Sequence, residues 1–412
     1  MPDKAVHIVG VGMTKFGIDL ARTVKDLTRQ AVDEALADAN CAASLVEAAW
    51  FANTSQGMLE GQHMIRGQAA LRPLGFVGIP IVNVENACAS ASTALFEAAN
   101  YLKAGAADIV LAVGAEKLSH QDRGRSLAVF DAGWDVALTD QSRAALLALG
   151  GMDDARLPPP AERRSLFMDI YAAFARQHMR LYGSTAEQFA AVAAKNHVHS
   201  VHNERAQFRR PYTIEEVLAD RPIAWPLTLP MCAPVSDGAA AAILCTDKGL
   251  ERLGAASRAI RLRACVPGTS IDRAPDDLDR HIGRITALKA YGAASLGPED
   301  VDVAEVHDAT AVGEVIQVEN LGLVPRGLGG EAALQGQTCL GGRIPVNPSG
   351  GLESKGHPIG ATGLAQIFEL VTQLRGEAGQ RQVDNATVAI AENGGGLWGV
   401  EEAVCAISIL SR

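Results

Sequence analysis

The chain has 412 residues, more than one ordinary core of ~150 residues organises, so two or three structural units are expected. Its 48% hydrophobic and 20% charged content excludes a disordered chain and, with 41 glycines, suits an Ala/Gly-rich α/β enzyme. A net charge of -10 excludes a dense basic face for nucleic acid or anionic membrane, and seven cysteines without a CxxC pair exclude a readable zinc ribbon or disulfide framework.

The amino end runs straight into an apolar, β-rich segment, Ala5 to Gly12, with no signal-peptide layout. No later stretch reaches the ~18 uninterrupted apolar residues of a membrane span, so a cytoplasmic protein is expected. Thr23 to Ala37 follows with Val24, Leu27, Ala31, Val32 and Ala35 at helical spacing. Ile81 to Val84 reads as a short strand, Ser90 to Ala104 as an Ala-rich helix and Ile109 to Val113 as a strand buried on both faces, a βαβ order. Between Ser119 and Trp225 the pattern changes: LPPPAERR at 157–164 reads as a loop and Leu166 to Ser200 as two helical runs, which suggests an inserted subdomain. Pro234 to Thr246 supplies a loop, a glycine and an apolar strand that return the chain to the first sheet, and a second unit begins near Ala259. There the grammar repeats, because Val346-Asn347 leads into a glycine-rich turn, Ala361 to Leu374 reads as a helix and Thr387 to Ala391 as a strand. Val82-Asn83 and Val346-Asn347 precede the turns that hold Cys88 and His357, so a duplicated unit with facing turns is expected.

Asn86-Ala87-Cys88-Ala89-Ser90 places a cysteine between a strand and the first turn of a helix. Free backbone N–H groups and the helix dipole stabilise an anion there, so a thiolate is expected at Cys88, with small residues leaving it approachable. Cys41, Cys245, Cys265 and Cys405 read as structural thiols. His357 lies in GHPIGATG, a turn whose glycines allow close backbone approach, and His307 follows Val303 to Val306 at a strand end, the usual place for site residues in α/β sheets. Glu392, Asn393, Gly394 and Gly395 belong to a run that ends a strand in a glycine-rich loop, where backbone N–H groups suit an oxyanion. His197, His199 and His202 tempt a metal reading, since the last two are three apart and can share a helix face. No carboxylate or cysteine lies at ligand spacing, and no metal is expected.

The segment VENACASASTALFEAANYLKAGAADIVLAVGAEKLS resembles the nucleophile segment of thiolases, especially the sterol-carrier-protein type. KNHVHSVHNERAQFRRPYTIEEVL, CAPVSDGAAAAIL, EVHDATAVGEVIQVENLGL and NPSGGLESKGHPIGATGLAQ follow in that family's order, so the resemblance spans essentially the whole chain. It implies a thiolase fold of duplicated βαβ-rich halves layered α-β-α-β-α. The halves would be 1–118 plus 226–256 and 257–412, with 119–225 as an inserted loop subdomain that shapes the acyl pocket. It also implies an acyltransferase that makes or breaks the carbon-carbon bond of a 3-oxoacyl-CoA, of lipid or aromatic type, through an acyl thioester on Cys88. His357 would help activate the thiol, His307 would help hold the thioester oxygen, Asp308 would orient its loop, and Asn393, Gly394 and Gly395 would bind substrate or oxyanion. CoA and acyl-CoA are then substrates, and no cofactor is bound permanently. A homodimer core is implied, Val82 to Ala104 being too apolar for an exposed surface, and some proteins of this branch also take a small zinc-ribbon and OB-fold subunit.

The chain departs from the family where thiolases keep a second cysteine to move protons at the α-carbon. Glu392 stands at one such position, with Asn393 its rival if the register slips by one, and Ala309 stands at the other. Glu392 is the candidate replacement, because burial can raise a carboxyl pKa into the range of proton transfer; Cys339 in GQTCLGG is the remaining thiol. Two alternatives stay open: a thiolase-like retro-aldolase acting on a CoA ester, and a non-catalytic subunit of a thiolase-like complex.

Overall fold

The computed structural model of the chain describes residues 4–151 and 165–412, so the loop expected at 157–164 lies outside the described residues. In the first half, β1 (His7–Met13) leads to α1 (Val24–Asp38), whose start is set by a reciprocal cap between Thr23 and Asp26. β2 (Ala48–Ala52), β3 (Ile81–Val84), α2 (Ser90–Lys103) and β4 (Ile109–Lys117) follow. After two shorter helices at Arg123–Ala128 and Thr139–Ala148 come the long helices α3 (Leu166–Tyr182), capped by Ser165 and stopped by Gly183 at φ 74°, and α4 (Ala186–Ser200). β5 (Asp237–Cys245) then returns to the sheet beside β4 and β1. The second half contains β6 (Ile260–Thr269), α5 (Ile282–Ala294), β7 (Val303–Glu305), α6 (Ala311–Asn320), α7 (Thr362–Arg375), β8 (Val388–Gly395) and β9 (Val404–Ser411).

The strand order is β3-β2-β4-β5-β1-β6-β9-β8-β7. β2 lies parallel to β3 and β4, and β5 antiparallel to β4 and β1. The second half copies this with β7 parallel to β8, and β9 antiparallel to β8 and β6. The counterpart of β3 shrinks to one parallel bridge between Val346 and Ala304, because prolines 345 and 348 flank it and offer no N–H to a ladder. The halves are joined edge to edge through only two residue pairs, His7 with Arg261 and Ile8 with Ile260, which makes the two expected sheet layers one continuous hydrogen-bonded sheet.

That sheet wraps around α2 and α7. Leu95, Ala98 and Leu102 pack with Leu364, Ile367 and Leu370 against Val110, Ala112 and Ala242 in one apolar cluster. Burying each large aliphatic side chain stabilises the fold by roughly 1.5–3 kcal/mol. α1 covers the outer face of the first half through Leu27, Ala31 and Ala35, and α5 covers the second through Ala287, Ala290 and Tyr291, completing the α-β-α-β-α layering. Gly12 lets β1 press on α1, since a Cβ there would lie 2.2 Å from the carbonyl of Ala31. α3 and α4 rest on α6 through Phe174, Phe189 and Val192 against Val312 and Val315. Among the described residues no helix is long and apolar enough to cross a membrane.

Candidate active site

The turn between β3 and α2 carries Cys88. Ala87 takes φ 47°, and Ser90 fastens the turn by accepting the Asn86 N–H at 2.8 Å and donating to the Ala87 carbonyl at 2.6 Å. Leu59, Leu118, Val129 and Ile359 form an apolar cup beside Cys88, which remains partly accessible. This environment overturns the expectation of a resting thiolate: burial, followed by the charges of Glu116 and Glu85, pushes the thiol up to about 12, outweighing its own N–H and that of Gly396. Glu116 is a residue that sequence reasoning did not single out. Its carboxylate accepts from Asn53 Nδ2, the N–H groups of Thr54, Ser55 and Gly360, and both hydroxyls of Thr54 and Ser55, so it ties the Cys88 half to the His357 turn.

His307 arrives just past β7 and His357 just before α7. The Cys88 sulfur and one nitrogen from each ring lie within 4.8 Å of one another, and the rings meet edge to face with centroids 5.0 Å apart. The turn before His357 is held by Asp308, which accepts the N–H groups of Leu352 at 2.7 Å and Glu353 at 3.3 Å. The His357 N–H donates to Ser236 Oγ at 3.0 Å. Its Nδ1 is 2.7 Å from Thr362 Oγ1, whose own hydrogen goes to the Pro358 carbonyl at 3.1 Å. Nδ1 therefore carries the ring proton, and Nε2 is left as an acceptor. Burial holds both rings neutral, with His357 well below the usual histidine range and His307 down to about 4.

The strand β8 sorts its residues between two faces. Asn393 turns to His307 and to Ser92 on α2. Glu392 turns away: its Oε2 accepts the backbone N–H of His307 at 2.9 Å and its Oε1 accepts from Cys405 Sγ at 3.5 Å. Burial and the nearby Glu402 raise Glu392 to about 8, in the range for proton transfer, but the carboxyl stands behind the His307 backbone, outside the group of Cys88, His307 and His357. Gly394 and Gly395, expected in a loop of N–H donors, are strand residues paired with Cys405 and Val404. Gly395 instead allows close packing, as a Cβ there would lie 2.6 Å from the Asn86 carbonyl. The N–H that faces Cys88 is that of Gly396, where the strand ends at φ 59°.

Cys339 lies half-buried before Asn347, outside the Cys88 cluster, and Ala309 occupies its position as a buried small residue. α4 ends at Ser200, so His202 does not share a helix face with His199. His197 meets Ser354, and His199 meets the Asn347 carbonyl and the Leu340 N–H, contacts that hold loops. A further residue absent from the sequence reading is Tyr171 on α3, buried, its phenol pushed up by burial and then by Glu402, Cys88, Glu392 and Asp308. It reads in sequence like any apolar helix position. Among the described residues the Cys88, His307 and His357 atoms are also spaced so that they could ligate a divalent ion.

Comparison with known proteins agrees with this architecture. A model of the thiolase N-terminal domain matches residues 6–218 and a thiolase C-terminal domain-like model matches residues 266–411. The chain is 39% identical to sterol carrier protein 2 of Oryctolagus cuniculus over 401 residues, covering 95% of this chain and 70% of the relative. It is 37% identical to an acetyl-CoA acetyltransferase of Methanothermobacter thermautotrophicus over 408 residues, covering 99% of each. The solved structure of an Ltp2-ChsH2(DUF35) aldolase superimposes with a TM-score of 0.79 at 24% identity, over 99% of this chain and 98% of the other. With both halves matched and a full-length relative above one-third identity, the chain belongs to the thiolase family.

Proposed function

We propose that the chain is a CoA-thioester acyltransferase in which Cys88 carries the acyl group while the α–β carbon bond of a 3-oxoacyl-CoA is made or broken. The supporting observation is the convergence of a neutral thiol, an unprotonated Nε2 of His357 and separately held N–H donors. In the cleavage direction His357 Nε2 takes the thiol proton as Sγ attacks the β-carbonyl carbon. The N–H groups of Cys88 and Gly396 hold the resulting oxyanion. As the Cα–Cβ bond breaks, its electron pair moves to the α-carbon of the departing CoA ester, whose thioester oxygen accepts from His307. The proton then on His357 returns to that α-carbon, a task that falls to it because Glu392 faces away and no second thiol joins the cluster among the described residues. Glu392, bonded to the His307 backbone, is then a positioning residue. CoA and acyl-CoA are substrates, with no cofactor bound permanently.

Incubation with a panel of acyl-CoA thioesters, then peptide mass spectrometry, should find the acyl mass on the Cys88 peptide and lose it in Cys88→Ala. An unmodified peptide across the panel would sink the proposal. The absence of a cysteine at Ala309 favours one rival, a retro-aldolase acting on a CoA ester, which needs no acyl-enzyme; full turnover by Cys88→Ala would decide for it. A zinc-ribbon and OB-fold partner is a further proposal, supported by activity that appears only when such a subunit is added.

A further inference from the structure

We infer that Cys88, His307 and His357 form a site for a zinc-class divalent ion, which holds the thiol as a metal thiolate and so switches the enzyme off reversibly. The effect on turnover rests on the acyl-transfer reading above; the site itself rests on geometry. A thiolate with two imidazoles is a donor set for Zn²⁺ and not for Mg²⁺ or Ca²⁺, which take oxygen ligands. With bonds of about 2.3 Å to sulfur and about 2.0–2.1 Å to nitrogen, a tetrahedral zinc ion spaces its ligand atoms about 3.3–3.6 Å apart and two imidazole ring centres about 5 Å apart. The His307 and His357 ring centroids are 5.0 Å apart with their planes at 78°. The Cys88 sulfur and one nitrogen of each ring lie within 4.8 Å of one another, so a side-chain shift of at most about 1.5 Å closes the set.

The surroundings suit a cation. Glu116 and Glu85 act on Cys88 as negative charges, which oppose a bare thiolate and favour the same sulfur once a divalent ion sits on it. Lys355, the cation that acts on His357, is itself paired with Glu305 at 3.0 Å. Burial holds both rings neutral, so each keeps a lone pair for the ion. The far side of each ring is engaged by protein, as in settled metal sites. Thr362 Oγ1 stands 2.7 Å from His357 Nδ1 and the Asn393 amide 3.1 Å from His307 Nδ1, and the Gly394 carbonyl is a further partner of the His307 ring. Both rings are buried while Cys88 stays partly accessible, so the ion enters from the sulfur side. On binding, a metal–sulfur bond replaces the S–H bond, the proton leaves to solvent, and nothing is oxidised or reduced. The sulfur then lacks a free pair for attack and His357 lacks one for a proton, so acylation stops.

The test is titration of the full chain with Co²⁺, a spectroscopic stand-in for zinc, after dialysis against a chelator. Wild type should bind one Co²⁺ per chain in a tetrahedral site with a thiolate-to-cobalt charge-transfer band, and Zn²⁺ should displace it. Cys88→Ala should lose the band. Thr362→Val, which removes the hydroxyl behind His357, should weaken cobalt binding by about 10–100-fold. Cys339→Ser, outside the cluster, should leave the spectrum as in wild type. Zn²⁺, but not Mg²⁺, should halt acylation of Cys88, and a chelator should restore it. A wild-type chain without the band, a band that survives in Cys88→Ala, or acylation at the full rate in zinc-loaded protein overturns the inference. Should Cys88→Ala not fold, wild type alkylated at Cys88 with iodoacetamide takes its place, and a band there overturns the inference equally. If no thioester acylates wild-type Cys88, the acyl-transfer reading falls while the cobalt spectrum still decides the site.

Discussion

At the residue scale, Cys88 keeps its proton because its burial and the charge of Glu116 cost a thiolate more than two N–H groups return. Proton removal then depends on His357, which burial keeps neutral well below the usual range. Because the folded pKa is depressed, the ring stays an unprotonated base as pH falls through 6.5, the ordinary histidine value. The rate of Cys88 alkylation measured from pH 5 to 9 is therefore expected to show no inflection near 6.5 and to climb at the alkaline end; a limb centred there would contradict the buried, neutral pair. Replacing His357 with Ala should slow Cys88 acylation by about 10²–10⁴-fold, the usual worth of a positioned base. Since the same three atoms are spaced for a divalent ion, one equivalent of zinc should block alkylation and a chelator restore it. Chelator treatment alone should leave turnover unchanged, and a loss would mean that the ion belongs to the site.

At the scale of elements, β8 divides its side chains by alternation: Asn393 turns to the His307 ring and Ser92, and Glu392 bonds the His307 backbone from behind. Burial raises Glu392 to about 8 and Glu402 to about 7. A carboxyl whose folded pKa exceeds its unfolded one stabilises fully below about 4.5, and that contribution is lost as pH rises through the folded value. Glu392→Gln, which keeps the acceptor for the His307 N–H without a charge, is thus expected to raise the melting temperature at pH 8.5 and to change it little at pH 5. Equal shifts at both would refute the charge argument. The turn before His357 depends on Gly351, held at φ 60° with Asp308 Oδ2 only 2.1 Å from where a Cβ would stand. Gly351→Ala should cost at least about 1–3 kcal/mol in denaturant unfolding, the scale of one strained backbone position.

At the scale of the whole molecule, the duplication places the turns that carry Cys88 and His357 face to face at the ends of α2 and α7, which pack side by side in one apolar cluster. Much of the apolar character of Val82 to Ala104 is spent there, inside the fold, and not on a subunit interface. What stays outside is β3, an edge strand of the sheet, with Val82 42% exposed and Met64, Ile65 and Val77 more than half exposed nearby. An open apolar sheet edge invites pairing with another chain, and on this ground we propose that the homodimer implied by the resemblance forms along it. Val82→Asp should shift the sedimentation coefficient from dimer to monomer at micromolar concentration. A wild-type monomer under those conditions would remove the idea.

Local pattern carried much of this protein. Helical spacing located α1, α2, α3, α4 and α7 to within a few residues, and the repeated lead-ins at Val82-Asn83 and Val346-Asn347 anticipated that Cys88 and His357 would meet. These features follow from side-chain periodicity and turn chemistry, which a chain expresses within a dozen residues. Three matters were decided only by tertiary structure. The face to which Glu392 and Asn393 turn depends on the phase of a strand, and with a period of two a one-residue uncertainty reverses it. The position of Tyr171 beside the site depends on how α3 docks, because its own segment reads only as apolar helix. The protonation of Cys88 and the tautomer of His357 depend on Glu116 and Thr362, groups brought together from distant parts of the chain in a buried interior where each charge and each hydrogen bond weighs more than in water.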